Sequence, residues 1–110
     1  MPSYQILDST EGVDALIAAS HEQPQLVLKH STTCPVSSLV KARIDRAISA
    51  DTFTISTHYL DLLRYRNVSN YVSEALGVRH ESPQIILIDK GEVIHHASHL
   101  AIDPAALLVG

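Results

Sequence analysis

The sequence contains one cysteine among its 110 residues, no tryptophan and a single phenylalanine. With one cysteine, no disulfide bond can form within the sequence. No apolar run approaches the ~20 residues that a membrane-spanning helix needs. The first residues also lack the basic and apolar regions of a signal peptide. We therefore expect a chain that does not enter a membrane and works in the cytoplasm, where thiols stay reduced.

Basic residues are scarce as well. Lysines and arginines number eight together and aspartates and glutamates number 12, which gives a formal net charge of −4. Nonspecific nucleic-acid binding requires a basic surface that neutralises phosphates, so this composition argues against it. The apolar fraction of 45% is ordinary for a folded domain, and the length predicts one domain over residues 1–110.

Apolar periodicity predicts alternating strands and helices, followed by a strand pair and a last helix. Connections through helices favour parallel strands, whereas the tight turn at 89–92 favours an antiparallel hairpin. The expected fold class is α/β, with a mixed sheet of four to five strands and helices on both faces. The strands are predicted over 4–7, 26–30, 53–60, 84–88 and 93–98. The helices are predicted over 10–22, 35–49, from a cap at Asn67 or Ser69 to Leu76, and over 105–109.

Cys34 lies between a predicted buried strand and the first turn of a predicted helix. Free N–H groups at a helix start favour an anion, so a thiolate at this position should form more easily than in free cysteine. Pro35 suits the first helical position because its missing N–H would be unpaired there anyway. A buried, inert cysteine is the alternative interpretation. The agreement of strand, turn, proline and helix favours a reactive thiol.

Ser37 lies three residues after Cys34, where a dithiol redox protein would carry its second cysteine. A serine cannot form a disulfide, but its hydroxyl can donate a hydrogen bond to a thiolate. Such a site can attack another disulfide and hold a mixed disulfide, which an external thiol must then resolve. We therefore take Cys34 and Ser37 as the catalytic pair.

Pro83 enters the most apolar predicted strand, directly after Ser82. General frequencies favour a trans peptide bond at such a proline, and a trans proline at a strand edge is the simpler interpretation. A cis bond beside a reactive site would leave the Ser82 backbone free to pair with an extended substrate.

The segment Lys-His-Ser-Thr-Thr-Cys-Pro-Val-Ser over 29–37 resembles the signature of the monothiol bacilliredoxins, the YtxJ-type family of the thioredoxin-like superfamily. That family usually shows Thr-Cys-Pro-Ile-Ser, and Val36 replaces the isoleucine here with the loss of one methylene. The segment from Ser82 to Gln84 resembles the family's cis-proline loop. The likeness covers nearly the full chain and implies a thioredoxin-like fold with a cis bond before Pro83.

The resemblance also implies a reaction and a set of partners. Cys34 would attack a protein mixed disulfide with the low-molecular-weight thiol bacillithiol, free the client cysteine and carry the bacillithiol itself. A second low-molecular-weight thiol would then reduce Cys34. Thr33, Pro35, Ser82 and Pro83 would line the substrate groove. The implied partners are bacillithiol-capped client proteins, with the chain acting as a monomer or weak dimer and with no metal.

Two other functions fit a Cys-x-x-Ser site. One is an iron–sulfur carrier like the monothiol glutaredoxins, which would need two chains and an external thiol, and whose Cys-Gly-Phe-Ser motif is missing here. The other is a binding module that has kept the fold and lost catalysis. Its cysteine would have an ordinary thiol pKa near 8.5.

Several histidines are candidates for further roles. His30 could stabilise a thiolate if protonated, or could satisfy a local polar group, and strand alternation lets only one of Lys29 and His30 face the site. His95, His96 and His99 suggest a metal centre at first sight. Neighbouring strand residues point to opposite faces, however, and no second cysteine or carboxylate cluster completes a ligand set. We expect solvated histidines on an edge strand.

Overall fold

A computed structural model describes residues 4–33, 35–49 and 55–102, apart from the side chain of Leu100. Within these residues strands and helices alternate and then end in a hairpin and a short 3₁₀ helix, His99–Ala101. The predicted order is confirmed up to the hairpin, and the last predicted helix lies outside the described residues. The strands are β1 (Gln5–Ile6), β2 (Gln25–His30), β3 (Ser56–Asp61), β4 (Gln84–Asp89) and β5 (Glu92–Ser98). The helices are α1 (Thr10–Ala19), α2 (Pro35–Ile48) and α3 (Arg66–Leu76).

The strands form one mixed sheet in the order β1-β3-β2-β4-β5. β3 runs parallel to both β1 and β2, whereas β4 runs antiparallel to β2 and β5. The predicted mixed α/β sheet is therefore confirmed. β2 is an inner strand with hydrogen-bonded neighbours on both sides, and all six of its residues are buried.

Helices cover both faces of the sheet. Because successive strand residues point to opposite faces, each inner strand contributes to two separate apolar clusters. The cluster under α1 and α3 includes Val27, Leu60 and Ile86 from the strands. The cluster under α2 includes Leu28 and Ile85. The residues at the end of β2 therefore face two different environments.

Three predicted boundaries were wrong by more than one residue. α1 ends at Ala19 and not near Glu22, because the next residues form tighter turns whose N–H groups bond carbonyls three residues back. β3 begins at Ser56, and Ile55 precedes it. α3 begins at Arg66 after Tyr65, which makes no side-chain cap hydrogen bond, so neither expected cap serves that role. The predicted helix stop is confirmed, since Gly77 adopts a left-handed conformation with φ 65°.

The hairpin between β4 and β5 is bound to the end of α1 through Ser20. The Ser20 carbonyl accepts a hydrogen bond from the Lys90 N–H, and the Ser20 hydroxyl accepts one from the Gly91 N–H, both at 2.8 Å. The same hydroxyl donates to the carbonyl of Ile17. Ser20 is fully buried, so these hydrogen bonds fix the hairpin to the helix without competition from water.

Replacing Ser20 with alanine should lower the free energy of unfolding by about 1–2 kcal/mol, because it leaves the Gly91 N–H without its partner. Denaturant unfolding monitored by circular dichroism measures the change. Ser49→Ala is the matched control, since the Ser49 hydroxyl also donates to a carbonyl at a helix end but is exposed and, within the described residues, binds no second element. Equal losses in the two variants would contradict a stabilising role for the hairpin contact.

Candidate functional site

The candidate site lies where β2 ends at His30 and α2 begins at Pro35. Thr33 and Pro35 are exposed at this junction, whereas Ser31 is buried. The hydroxyls of Ser31 and Thr33 lie 3.3 Å apart and share a hydrogen bond. Cys34 itself lies outside the described residues. The described residues on either side run from β2 through a short turn to the start of α2, which is the predicted order.

Ser37, the third residue of α2, is completely buried and makes two hydrogen bonds. Its hydroxyl oxygen accepts a hydrogen bond from the Ser31 N–H at 3.0 Å. The same oxygen lies 2.7 Å from Nδ1 of His30. Ser37 therefore joins the first turn of α2 to the end of β2. It also occupies the position that the second cysteine has in a dithiol redox protein.

His30 is nine-tenths buried, on the α2 side of the sheet, with its ring 5.6 Å from that of Tyr59. Burial lowers the pKa of His30, and the positive charge of Lys41 on α2 lowers it further. Asp61 and Asp45 oppose this by favouring the charged ring. Because the net direction is downward from an ordinary pKa of 6.5, the neutral form of His30 predominates at pH 7. A permanently protonated His30 at this junction is therefore disfavoured.

Lys41 belongs to a cation–aromatic cluster beside His30. Its ammonium lies over the rings of Tyr4 and Tyr59, 5.3 and 5.7 Å from their centroids. It also forms an ion pair with Asp45 at 3.1 Å. The cluster joins α2 to Tyr4, which precedes β1, and to Tyr59 of β3. It also holds the charged groups near His30 in position.

The segment before β4 lies next to this junction. The peptide bond between Ser82 and Pro83 is cis, as the resemblance implies. Lys29 pairs with Gln84 in the antiparallel ladder, so Ser82 and Pro83 lie alongside the residues that follow Lys29. The Pro83 carbonyl accepts a hydrogen bond from the His99 N–H at 3.0 Å. Within the described residues, the buried hydroxyl of Ser82 has no hydrogen-bond partner.

The structure thus brings the described site residues together at the end of the sheet where β2 stops and β4 starts. Thr33, Pro35 and Ser37 lie at the junction itself, and the register of β4 brings Ser82 and Pro83 beside it. The expectation that only one of the two residues ending β2 faces this site is confirmed.

Lys29 precedes His30 in β2 and points to the opposite face of the sheet. Sequence reasoning missed its role. It is fully buried on the α3 side of the sheet. Its ammonium donates to the Ser69 carbonyl at 3.3 Å and the Ser73 hydroxyl at 2.9 Å, and lies 3.2 Å from Nδ1 of His80. Burial lowers the pKa of Lys29 to about 8. A lysine inside an otherwise apolar strand was the available signal, because such a charge requires partners.

The histidines of β5 alternate as expected, with His95 half-buried and His96 exposed. Among the described residues, no three histidine, cysteine, aspartate or glutamate side chains are arranged to hold a metal ion. No helix in the described part of the chain has the length and apolar character needed to cross a membrane.

A mixed sheet of this order, with helices on both faces and a cis-proline beside a strand-to-helix junction, defines a protein of thioredoxin fold. One solved structure, described as a candidate oxidoreductase with a thioredoxin fold, is 28% identical with a TM-score of 0.82 and covers 94% of this chain and 89% of its own. Thioredoxins from Malassezia sympodialis and Trypanosoma brucei brucei are 14% identical, with TM-scores of 0.74 and 0.75. Each comparison covers 97% of this chain and 86% of the other, and at this identity it shows the fold alone.

The family model described as monothiol bacilliredoxin BrxC matches residues 5–107, and the chain belongs to this family. Family and fold together make it a thiol–disulfide oxidoreductase.

The buried ammonium of Lys29 predicts a distinctive dependence of stability on pH. Its pKa is about 8 in the folded chain, against an ordinary value of 10.5, so the unfolded chain binds more protons between these values. Lys29 alone should therefore contribute a rise of on the order of 3 kcal/mol to the free energy of unfolding as the pH increases from about 8 to about 10.5. Lys29→Met should abolish this rise in urea unfolding, and Lys41→Met at the partly exposed ion pair should preserve it. A rise that persists in Lys29→Met would refute this origin.

Proposed function

We propose that this protein removes bacillithiol from protein mixed disulfides, with Cys34 as the nucleophile. The observation that carries the proposal is the family match over residues 5–107, which includes the Cys-Pro-Val-Ser segment. The described structure supports it, since α2 begins at Pro35, directly after Cys34. The unpaired N–H groups of a helix's first turn stabilise a thiolate at that position.

The reaction proceeds by two thiol–disulfide exchanges. In the first, the Cys34 thiolate attacks the bacillithiol sulfur of the mixed disulfide. A bond forms between Cys34 and bacillithiol, the old disulfide breaks, and the client cysteine leaves as a thiolate. In the second, the thiolate of a low-molecular-weight thiol attacks the bacillithiol sulfur, forms a new disulfide with it and releases Cys34. Overall, the client sulfur is reduced and the sulfur of the low-molecular-weight thiol is oxidised, while the bacillithiol sulfur passes from one disulfide to another.

An external thiol is required because the chain has no second cysteine. Ser37 stands at the position from which a second thiol would displace bacillithiol, and its hydroxyl is already bonded to Ser31 and His30. The adduct on Cys34 should therefore persist until another thiol reaches it. The exposed side chains of Thr33 and Pro35 leave the approach to the junction open to a client protein.

The test is a transfer experiment read by intact-protein mass spectrometry. The reduced protein is mixed with a client protein that carries bacillithiol on a single cysteine. We expect the mass of one bacillithiol to move to this chain and to disappear when a low-molecular-weight thiol is added. Cys34→Ala should accept no adduct. An absence of transfer to the unmodified protein would contradict the proposal.

The same client capped with glutathione is the matched control for the identity of the small thiol. Faster transfer from the bacillithiol-capped client supports bacillithiol as the co-substrate. Equal rates from the two clients would contradict bacillithiol specificity and leave general thiol–disulfide exchange.

A further inference from the structure

The hydroxyl of Ser37 carries one proton and has two polar neighbours at hydrogen-bond distance. The Ser31 N–H can only donate, so the serine oxygen accepts there. Nδ1 of His30, 2.7 Å away, can accept the serine proton or donate its own, depending on whether it is protonated. The direction of the second hydrogen bond is therefore reversible.

The two directions suit different states of a neighbouring thiol. When Ser37 donates to His30, its oxygen presents a lone pair that can accept from an S–H group. When His30 donates to Ser37, the serine proton is free to point at a thiolate. One serine hydroxyl can thus satisfy both the thiol and the thiolate, provided that its partner gains a proton when the thiol loses one.

We propose that His30 is a positioning residue that exchanges a proton with Cys34 through the hydroxyl of Ser37. On ionisation the Cys34 proton passes to the Ser37 oxygen, and the proton of Ser37 passes to Nδ1 of His30. The products are a thiolate, an intact serine hydroxyl and an imidazolium, so protons and charge balance. This inference rests on the proposed function only in taking Cys34 as the reactive thiol.

The charges around His30 are suited to a reversible exchange. Lys41 on α2 disfavours the imidazolium, whereas Asp45 on α2 and Asp61 on β3 favour it. The Tyr59 ring stays neutral at neutral pH, since burial raises the pKa of its hydroxyl. With the nearby aspartates balanced in part by the lysine, burial keeps the ring neutral while the thiol is protonated. Cys34 directly precedes α2, and Ser37 is the third residue of that helix. A side chain just before a helix reaches the third helical residue, so a thiolate there supplies the negative charge that favours an imidazolium.

A second buried histidine, His58, provides a comparison with a purely structural role. Nε2 of His58 on β3 is 2.7 Å from the Gln25 side chain, and burial also lowers its pKa. His58 lies on the α1 side of the sheet, near the start of β2, away from the junction. Its hydrogen bond joins two strands and reaches no residue of the Cys-x-x-Ser segment. It is the matched control for His30.

The first experiment measures alkylation of the only thiol by iodoacetamide between pH 5 and 9.5. In His30→Gln, which keeps hydrogen-bonding groups but cannot take up a proton, the apparent pKa of Cys34 should rise by about one unit. The rate at pH 6 should then fall roughly tenfold. His58→Gln should stay within about twofold of the unmodified protein. Identical pH profiles for His30→Gln and the unmodified protein would overturn the relay.

The second experiment needs no substitution and so does not depend on a variant folding. Imidazole ¹⁵N signals are titrated in the reduced protein and in the protein whose Cys34 is blocked by alkylation. We expect a higher apparent pKa for His30 in the reduced protein, because only there does a thiolate support the imidazolium. The same His30 titration in both samples would overturn the proposal.

The relay and the proposed function fail separately. If the unmodified protein accepts bacillithiol while His30→Gln alkylates normally, the relay is wrong and the function stands. If His30→Gln shifts the alkylation profile but the unmodified protein accepts no bacillithiol, the relay stands and the function is wrong.

Discussion

The inner strand β2 is the constraint on which the site depends, because it is buried along its whole length yet carries three polar side chains. Buried polar groups must find hydrogen-bond partners, and each of these finds one on a different element. Gln25 binds His58 on β3, and Lys29 binds the backbone and a side chain of α3. His30 binds Ser37 in the first turn of α2. The polar residues of one strand therefore attach its neighbour and one helix on each face.

Because side chains alternate along β2, its polar residues reach both faces of the sheet. Lys29 and His30 are adjacent, so they point to opposite faces and enter different apolar clusters. The lysine binds α3 and approaches His80, close to the segment that leads into the cis-proline. The histidine holds the start of the helix that follows Cys34. Two successive residues thus position the two sides of the candidate site, from opposite faces of the sheet.

Much of this could be predicted from sequence, and the failures have a common physical origin. Period-two and helical apolar patterns are local, so they gave the element order, the mixed sheet and the Gly77 stop. The start of α3 was missed because Tyr65 makes no side-chain cap, and capping preferences had pointed to Asn67 or Ser69. The partners of Lys29 lie 40 to 51 residues away along the chain. A sequence pattern shows that such a lysine needs partners, but only the folded chain brings them together.

A serine in place of a resolving cysteine changes more than the loss of a disulfide. A serine hydroxyl does not ionise in the physiological range, so Ser37 cannot act as a second thiolate-like nucleophile. It keeps both a donor and an acceptor, which a thiol offers only weakly. Its contact with a buried, ionisable ring allows that donor to reverse direction. The substitution that removes internal resolution therefore also leaves a hydroxyl suited to managing the proton of the single remaining thiol.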